Sequence, residues 1–291
     1  MTPLFTWLFY PRRRKRRPAE GPLSLRSLRE LSLFSMVTFV FSALLIQLLL
    51  CAWMMLLLNH FNIHFRYGLF HVSFFSESGT KWSEEMIMLV FGSGHLLMSV
   101  AGVALLLMMK NLSMAGWKTK LVLTWISFLM VNALPCGILA GAIIYDGFGV
   151  AFAWLVNSFI VRGILALLVL ALLVFTSRFW YIRFLKTAFS MTFFNSPETR
   201  RTFFFAVYLR PWIMGIIILM TFTWPFLNWY WPVFLLSLGY LAIIMIGDPV
   251  IYLKPMIKKS DKQIFANRSQ LVIIAVLLVL IWVAGIFRIN F

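Results

Sequence analysis

Three polar side chains lie deep inside long apolar runs: His95 in the run near 86–109, Asn132 in 121–145 and Arg162 in 150–176. If those runs cross a bilayer, ~1.5 Å of rise per residue puts His95 about 13 Å, Arg162 about 18 Å and Asn132 about 20 Å below the outer boundary. A guanidinium at such depth costs at least ~2.5–3.5 kcal/mol, so Arg162 needs a partner or water. Ser158 is one helical turn from it on the same face. Consecutive helices joined by short turns are usually neighbours, so His95, Asn132, Ser158 and Arg162 are expected to line one mid-membrane polar pocket. Such a pocket can glue helices together, form a ligand or ion path, or serve catalysis with Arg162 as the anion binder. No acid shares that depth: Asp146, Glu84 and Glu85 fall at the outer ends of their runs.

A second constellation is the histidines. His60, His64, His71 and His95 all fall within one stretch, and the i,i+4 spacing of His60 and His64 would, on a helix, put two imidazoles on one side as metal ligands require. Glu84 and Glu85 could add oxygen ligands on the same outer face. With Phe61, Phe65 and Tyr67 as neighbours, an interfacial amphipathic segment explains the pair without metal, and the expectation is that no metal or other cofactor is held.

Small residues surround the deep polar groups. Gly92, Ser99 and Gly102 share a face with His95, and Gly137 with Gly141 forms a GxxxG that lets helix backbones approach. Pro135 frees a backbone carbonyl near Asn132, as a kinked, polar-lined cavity would use. Over about a dozen residues, Gly94-His95 followed one run later by Asn132-Ala133-Leu134-Pro135 resembles the site-2-type intramembrane metalloproteases, with their HExxH helix and later Asn/Pro/Asp-Gly segment. The first His, the Glu base and the Asp ligand are absent here. Zinc hydrolysis needs both ligands and the base, so the resemblance implies at most a non-catalytic relative.

The elements that must position these residues follow from composition. Of 291 residues 62% are hydrophobic and 12% charged, with a mean hydropathy of +0.91. A soluble surface cannot be built from so few charges, and soluble enzymes, disordered tails and disulfide scaffolds are excluded. Apolar runs near 32–58, 86–109, 121–145, 150–176, 211–227, 232–247 and 270–287 are each roughly the length that crosses a ~30 Å hydrocarbon layer, so the fold expected is an all-α, polytopic bundle of about seven spans. Of the 26 Lys and Arg, 22 fall in 1–31, 110–120, 177–210 and 248–269, and three in the alternate segments. By the positive-inside rule the N-terminus is then cytoplasmic and the C-terminus outside, in what is expected to be a bacterial inner membrane. That distribution explains the net charge of +17 without nucleic acid.

Residues 1–31 form a basic cytoplasmic segment in which the short apolar stretch Met1–Tyr10 and the cluster Arg12–Arg17 predict an interfacial anchor on anionic headgroups rather than a cleavable signal. Residues 32–291 form the transmembrane domain. The aromatics of 177–210 and of Asn228–Pro232 read as belts at headgroup level. Cys51 and Cys136, inside apolar runs, read as buried small residues. No nucleotide-binding or hydrolase motif is present. The expected function is therefore non-enzymatic: a subunit of a membrane complex or a small transporter-like bundle, with membrane lipids and membrane proteins as partners. The alternative is a membrane enzyme acting on a lipid or peptide.

Overall fold

A computed structural model describes residues 25–68, 71–74, 82–109, 116–188, 193, 196–223, 230–245 and 289–290. The expected anchor before residue 25 and the apolar run 270–287 lie outside the described residues. The fold is helical. α1 spans Leu25–His60, and α2 runs from Glu84 to Met108 with a π-helical turn at Met88–Gly92. α3 (Trp117–Val131) and α4 (Ala133–Ile143) form a pair bent by 47°, followed by α5 (Phe148–Leu155) and α6 (Phe159–Leu185). α7 begins at Pro197–Phe204, passes a π-helical turn at Phe205–Leu209 and continues through Arg210–Thr223. α8 (Tyr230–Ser237) continues into a 3₁₀ stretch, Leu238–Met245. Among the described residues four helices are long and apolar enough to cross a membrane, and five if the bent pair is one span. Among the described residues there is one small sheet, ordered β2-β1-β3, with β1 (Phe65–Gly68) antiparallel to both β2 (His71–Phe74) and β3 (Ile289–Asn290).

Local signals set several starts. Ser83 caps α2 by accepting from the Met86 amide at 3.2 Å, and Glu84 and Glu85 stand in its first turn, where the helix dipole favours anions. Ser196 and Thr199 form a reciprocal capping box at α7, with Pro197 as the first helical residue.

Three expected boundaries are corrected. The run 150–176 is not one helix: Val156 leaves helical geometry, Ser158 takes the N-cap position and α6 starts at Phe159. The run 121–145 is broken at Asn132. Residues 177–185 and 197–210 are helical rather than a connection, and Trp180, Tyr181, Phe184, Phe203, Phe204 and Tyr208 are core rather than belt. The reason is helical period: Ser177, Trp180, Tyr181 and Phe184 on α6, and Phe203, Phe204, Val207 and Tyr208 on α7, recur every three to four residues and all are buried.

These rings make the centre of the bundle. Trp125 of α3 stacks on Tyr208 at 5.5 Å and meets Phe184 at 4.9 Å and Phe39 of α1 at 5.0 Å. Phe128 packs edge-on to Trp180 at 5.0 Å, and Tyr181 lies 4.7 Å from Phe204. Their polar atoms are satisfied inside: the Trp125 indole donates to Ser35 Oγ at 2.8 Å, Ser35 donates to the Val207 carbonyl in the π-turn, and the Tyr208 hydroxyl donates to the Leu238 carbonyl at 2.6 Å. Aromatic pairs in offset or edge geometry add about 0.5–1.5 kcal/mol each beyond area burial.

Candidate functional site

The break between α3 and α4 is the centre of the polar interior. Asn132 joins the two helices at φ −85°, ψ 2°, the sparsely allowed bridge region, and is almost wholly buried. Pro135 has no N–H to give the Val131 carbonyl, and the bend separates the Leu134 amide from its own acceptor one turn back. Ser99 of α2 fills the gap. Its hydroxyl accepts from the Leu134 amide at 2.9 Å and lies 3.1 Å from the Val131 carbonyl and 3.3 Å from that of Met130, as donor to both. The regular ladder resumes with the Cys136 amide donating to the Asn132 carbonyl at 2.9 Å. Side-chain insertion of this kind is a recognised cause of a sharp kink.

Two tyrosines from the α8 segment complete the site. The Tyr240 hydroxyl donates to Asn132 Oδ1 at 3.1 Å, while Asn132 Nδ2 donates to the Phe128 carbonyl at 2.7 Å. Thr176 of α6 brings its hydroxyl beside that of Tyr240. The Tyr230 hydroxyl and His95 Nε2 are 2.8 Å apart, and the Phe91 carbonyl, one turn earlier on α2, accepts from the imidazole. The consistent assignment is a neutral His95 that donates to Phe91 and accepts from Tyr230. Phe148 and Phe234 wall the imidazole at 5.1 and 6.4 Å between ring centres.

Glycines make the room. A Cβ at Gly137 would stand 3.0 Å from His95 Cδ2 and 3.2 Å from the Tyr230 hydroxyl, and one at Gly102 only 2.6 Å from the Val131 nitrogen. Gly141 packs against Gly149 of α5, backbone on backbone. Gly147, at φ +52°, lies flat on the Tyr230 ring, a position that needs glycine on both counts.

Asn132 therefore lies at the break, and His95, one turn before Ser99 on α2, lies beside Gly137 of α4. Arg162 and Ser158 are at neither place. Ser158 is the N-cap of α6, and Arg162 stands in the first turn of that helix, 14 residues or about 21 Å of helix before Thr176. The depth expected for Arg162 counted from residue 150; the break before Phe159 moves it from the middle of a span to its end. Its Nε is buried with no hydrogen-bond partner among the described residues, and its guanidinium lies 5.8 Å from the Phe159 ring centre.

The outer histidines are also apart from the helical arrangement considered above. α1 ends at His60, the chain turns through Asn62 at φ +56°, and His64 follows outside the helix, so their i,i+4 spacing does not align two imidazoles. His60, His64, Glu84 and Glu85 are all exposed, and among the described residues no three His, Cys, Asp or Glu side chains are grouped as metal ligands. Sequence reasoning noted Ser99 only as a small residue, took Tyr230 for a belt and passed over Tyr240 and Thr176. Ser99 had a signal, because Pro135 demands a foreign donor for the Val131 carbonyl. The tyrosines had none.

Comparison with family models, curated proteins and solved structures finds no match to this chain. The class defined by fold and site is thus a helical protein with several apolar, membrane-length helices and one bent helix pair, α3/α4.

Proposed function

We propose that the chain is a non-enzymatic, seven-span protein of a bacterial inner membrane that works as a small transporter-like bundle. The observation that carries this reading is the discontinuous α3/α4 span, with polar side chains from α2, α6 and the α8 segment gathered at its break. Interrupted helices recur at the binding sites of transporters because they present backbone groups at mid-membrane. Pairing of β3, near the C-terminus, with β1, just after α1, supports an odd number of crossings and a C-terminus on the outer side. An enzyme reading has less behind it, since His95 is engaged on both sides and, among the described residues, the outer His and Glu side chains are not grouped.

Cys136 tests the transporter reading. It is fully buried in α4 beside the break and, with Cys51 replaced by Ala, is the only thiol. In sealed proteoliposomes a transporter that opens there exposes Cys136 to an impermeant maleimide from one aqueous side. A thiol inert from both sides until detergent denaturation would reduce the break to a packing joint.

A second reading, a subunit of a membrane complex, is favoured by α6: none of residues 159–172 is buried, and Phe175 is 84% exposed. Co-purification from native membranes tests it, since a stoichiometric protein partner lost on introducing charge at Phe175 is the expected result.

A further inference from the structure

Pro135 and Pro211 each remove a backbone donor inside a helical segment, and the fold answers both in the same way. Pro135 leaves the Val131 carbonyl without its amide, and Pro211, four residues after Val207, does the same to the Val207 carbonyl. Ser99 of α2 donates to the first at 3.1 Å, and Ser35 of α1 donates to the second. The ladder of α7 is also rearranged just before its proline: the Arg210 amide bonds to the Phe205 carbonyl, five residues back, and so closes the π-helical turn. The α3/α4 pair and α7 thus each carry a proline joint whose open rung is held by a serine hydroxyl from a neighbouring helix.

The α8 segment ties the two joints together. From α7, the Tyr208 hydroxyl donates to the Leu238 carbonyl at 2.6 Å and the Trp212 indole to the Leu235 carbonyl at 3.0 Å. Toward α3/α4, Tyr240 donates to Asn132 Oδ1 at 3.1 Å. These bonds attach at the joints rather than along rigid stretches: Tyr208 adjoins Val207, Trp212 adjoins Pro211 and Asn132 adjoins Val131. Gly239 lets the indole lie against the segment, since a Cβ there would stand 2.7 Å from the Trp212 ring. Tyr208, Leu235, Leu238, Tyr240 and Asn132 are all buried, where an unmet donor or acceptor is costly. A bend at Pro211 that swings Trp212 and Tyr208 must break those bonds or carry residues 235–240 along, and Asn132 is the next group in line.

We infer that residues 235–240 are a strut between the two proline joints, so that bending of α7 at Pro211 is transmitted to the α3/α4 break. Trp212, Tyr208 and Tyr240 are its positioning residues. The coupling holds whether or not the break passes a solute, and its test uses no transport signal, so it stands or falls separately from the transporter reading.

Hydrogen–deuterium exchange of the full chain in lipid nanodiscs, read by mass spectrometry on peptides covering 128–143 and 203–216, tests the strut. Pro211→Ala returns an amide to the Val207 carbonyl and stiffens α7. Exchange is expected to slow at the α7 joint and also at the break, by about fivefold, the effect of one buried hydrogen bond. Adding Trp212→Phe and Tyr208→Phe, which keep an aromatic ring and remove the donors to the strut, should cancel the slowing at the break and leave that in α7. Trp212→Phe in the wild-type background should speed exchange in 128–143, which keeps the test decisive if Pro211→Ala fails to fold. Wild-type exchange at the break in Pro211→Ala or in Trp212→Phe, or slowing there that survives removal of both donors, would overturn the coupling.

Discussion

The Ser99 hydroxyl accepts from the Leu134 amide and donates to the Val131 carbonyl, so one side chain of α2 stands in for a rung missing from the bent α3/α4 pair. The contacts are part-buried, and an unmet buried donor or acceptor costs about 1–3 kcal/mol. Ser99→Ala should therefore lower the thermal midpoint of the purified protein well beyond Thr221→Ala, which removes only an exposed hydroxyl bonded within its own helix. Equal midpoints would mean that the break closes without Ser99.

Glycine substitutions should rank by what a new Cβ meets. At Gly102 it is the α3 backbone at 2.6 Å, which cannot yield locally, and overpacking of this kind costs about 1–3 kcal/mol. Gly137→Ala meets side-chain atoms at 3.0 and 3.2 Å and should cost less, while disturbing the His95–Tyr230 pair. Gly163→Ala meets nothing within 4 Å and should hold or raise the midpoint, since alanine is the better helix former by up to ~1 kcal/mol. Thermal midpoints of the three variants check the order.

His95 and Tyr230 should be coupled. In a double-mutant cycle of His95→Phe and Tyr230→Phe the two losses should fall short of additivity by about 1 kcal/mol, the range found for polar pairs between membrane helices. Additive losses in unfolding measurements would show that the 2.8 Å contact contributes no coupling.

Single-cysteine probes in intact cells check the proposed topology. With Cys51 and Cys136 replaced, cysteines at Ser78 and Asn228 should react with an impermeant reagent from outside, and cysteines at Ser113 and Ser260 should not. Outside labelling at Ser113 would overturn the seven-span arrangement.

What the sequence determined by itself was set by local quantities. Apolar length against bilayer thickness placed α2 within two residues at either end and α1 within two at its end but seven late at its start, Leu25, and Pro135 marked a kink. Depth in the membrane was less legible, because counting along a helix works only if the helix is unbroken; the break before Phe159 carried Arg162 from the middle of a span to its end. Tertiary structure alone decided which faces meet. His95 finds Tyr230 across 135 residues and Asn132 finds Tyr240 across 108, and no periodicity within either segment encodes a partner so distant. It also decided which aromatics are core: a tryptophan at a span end has the same local pattern whether it turns to lipid or, like Trp180, to Phe128, and only the packing of a neighbouring helix distinguishes them.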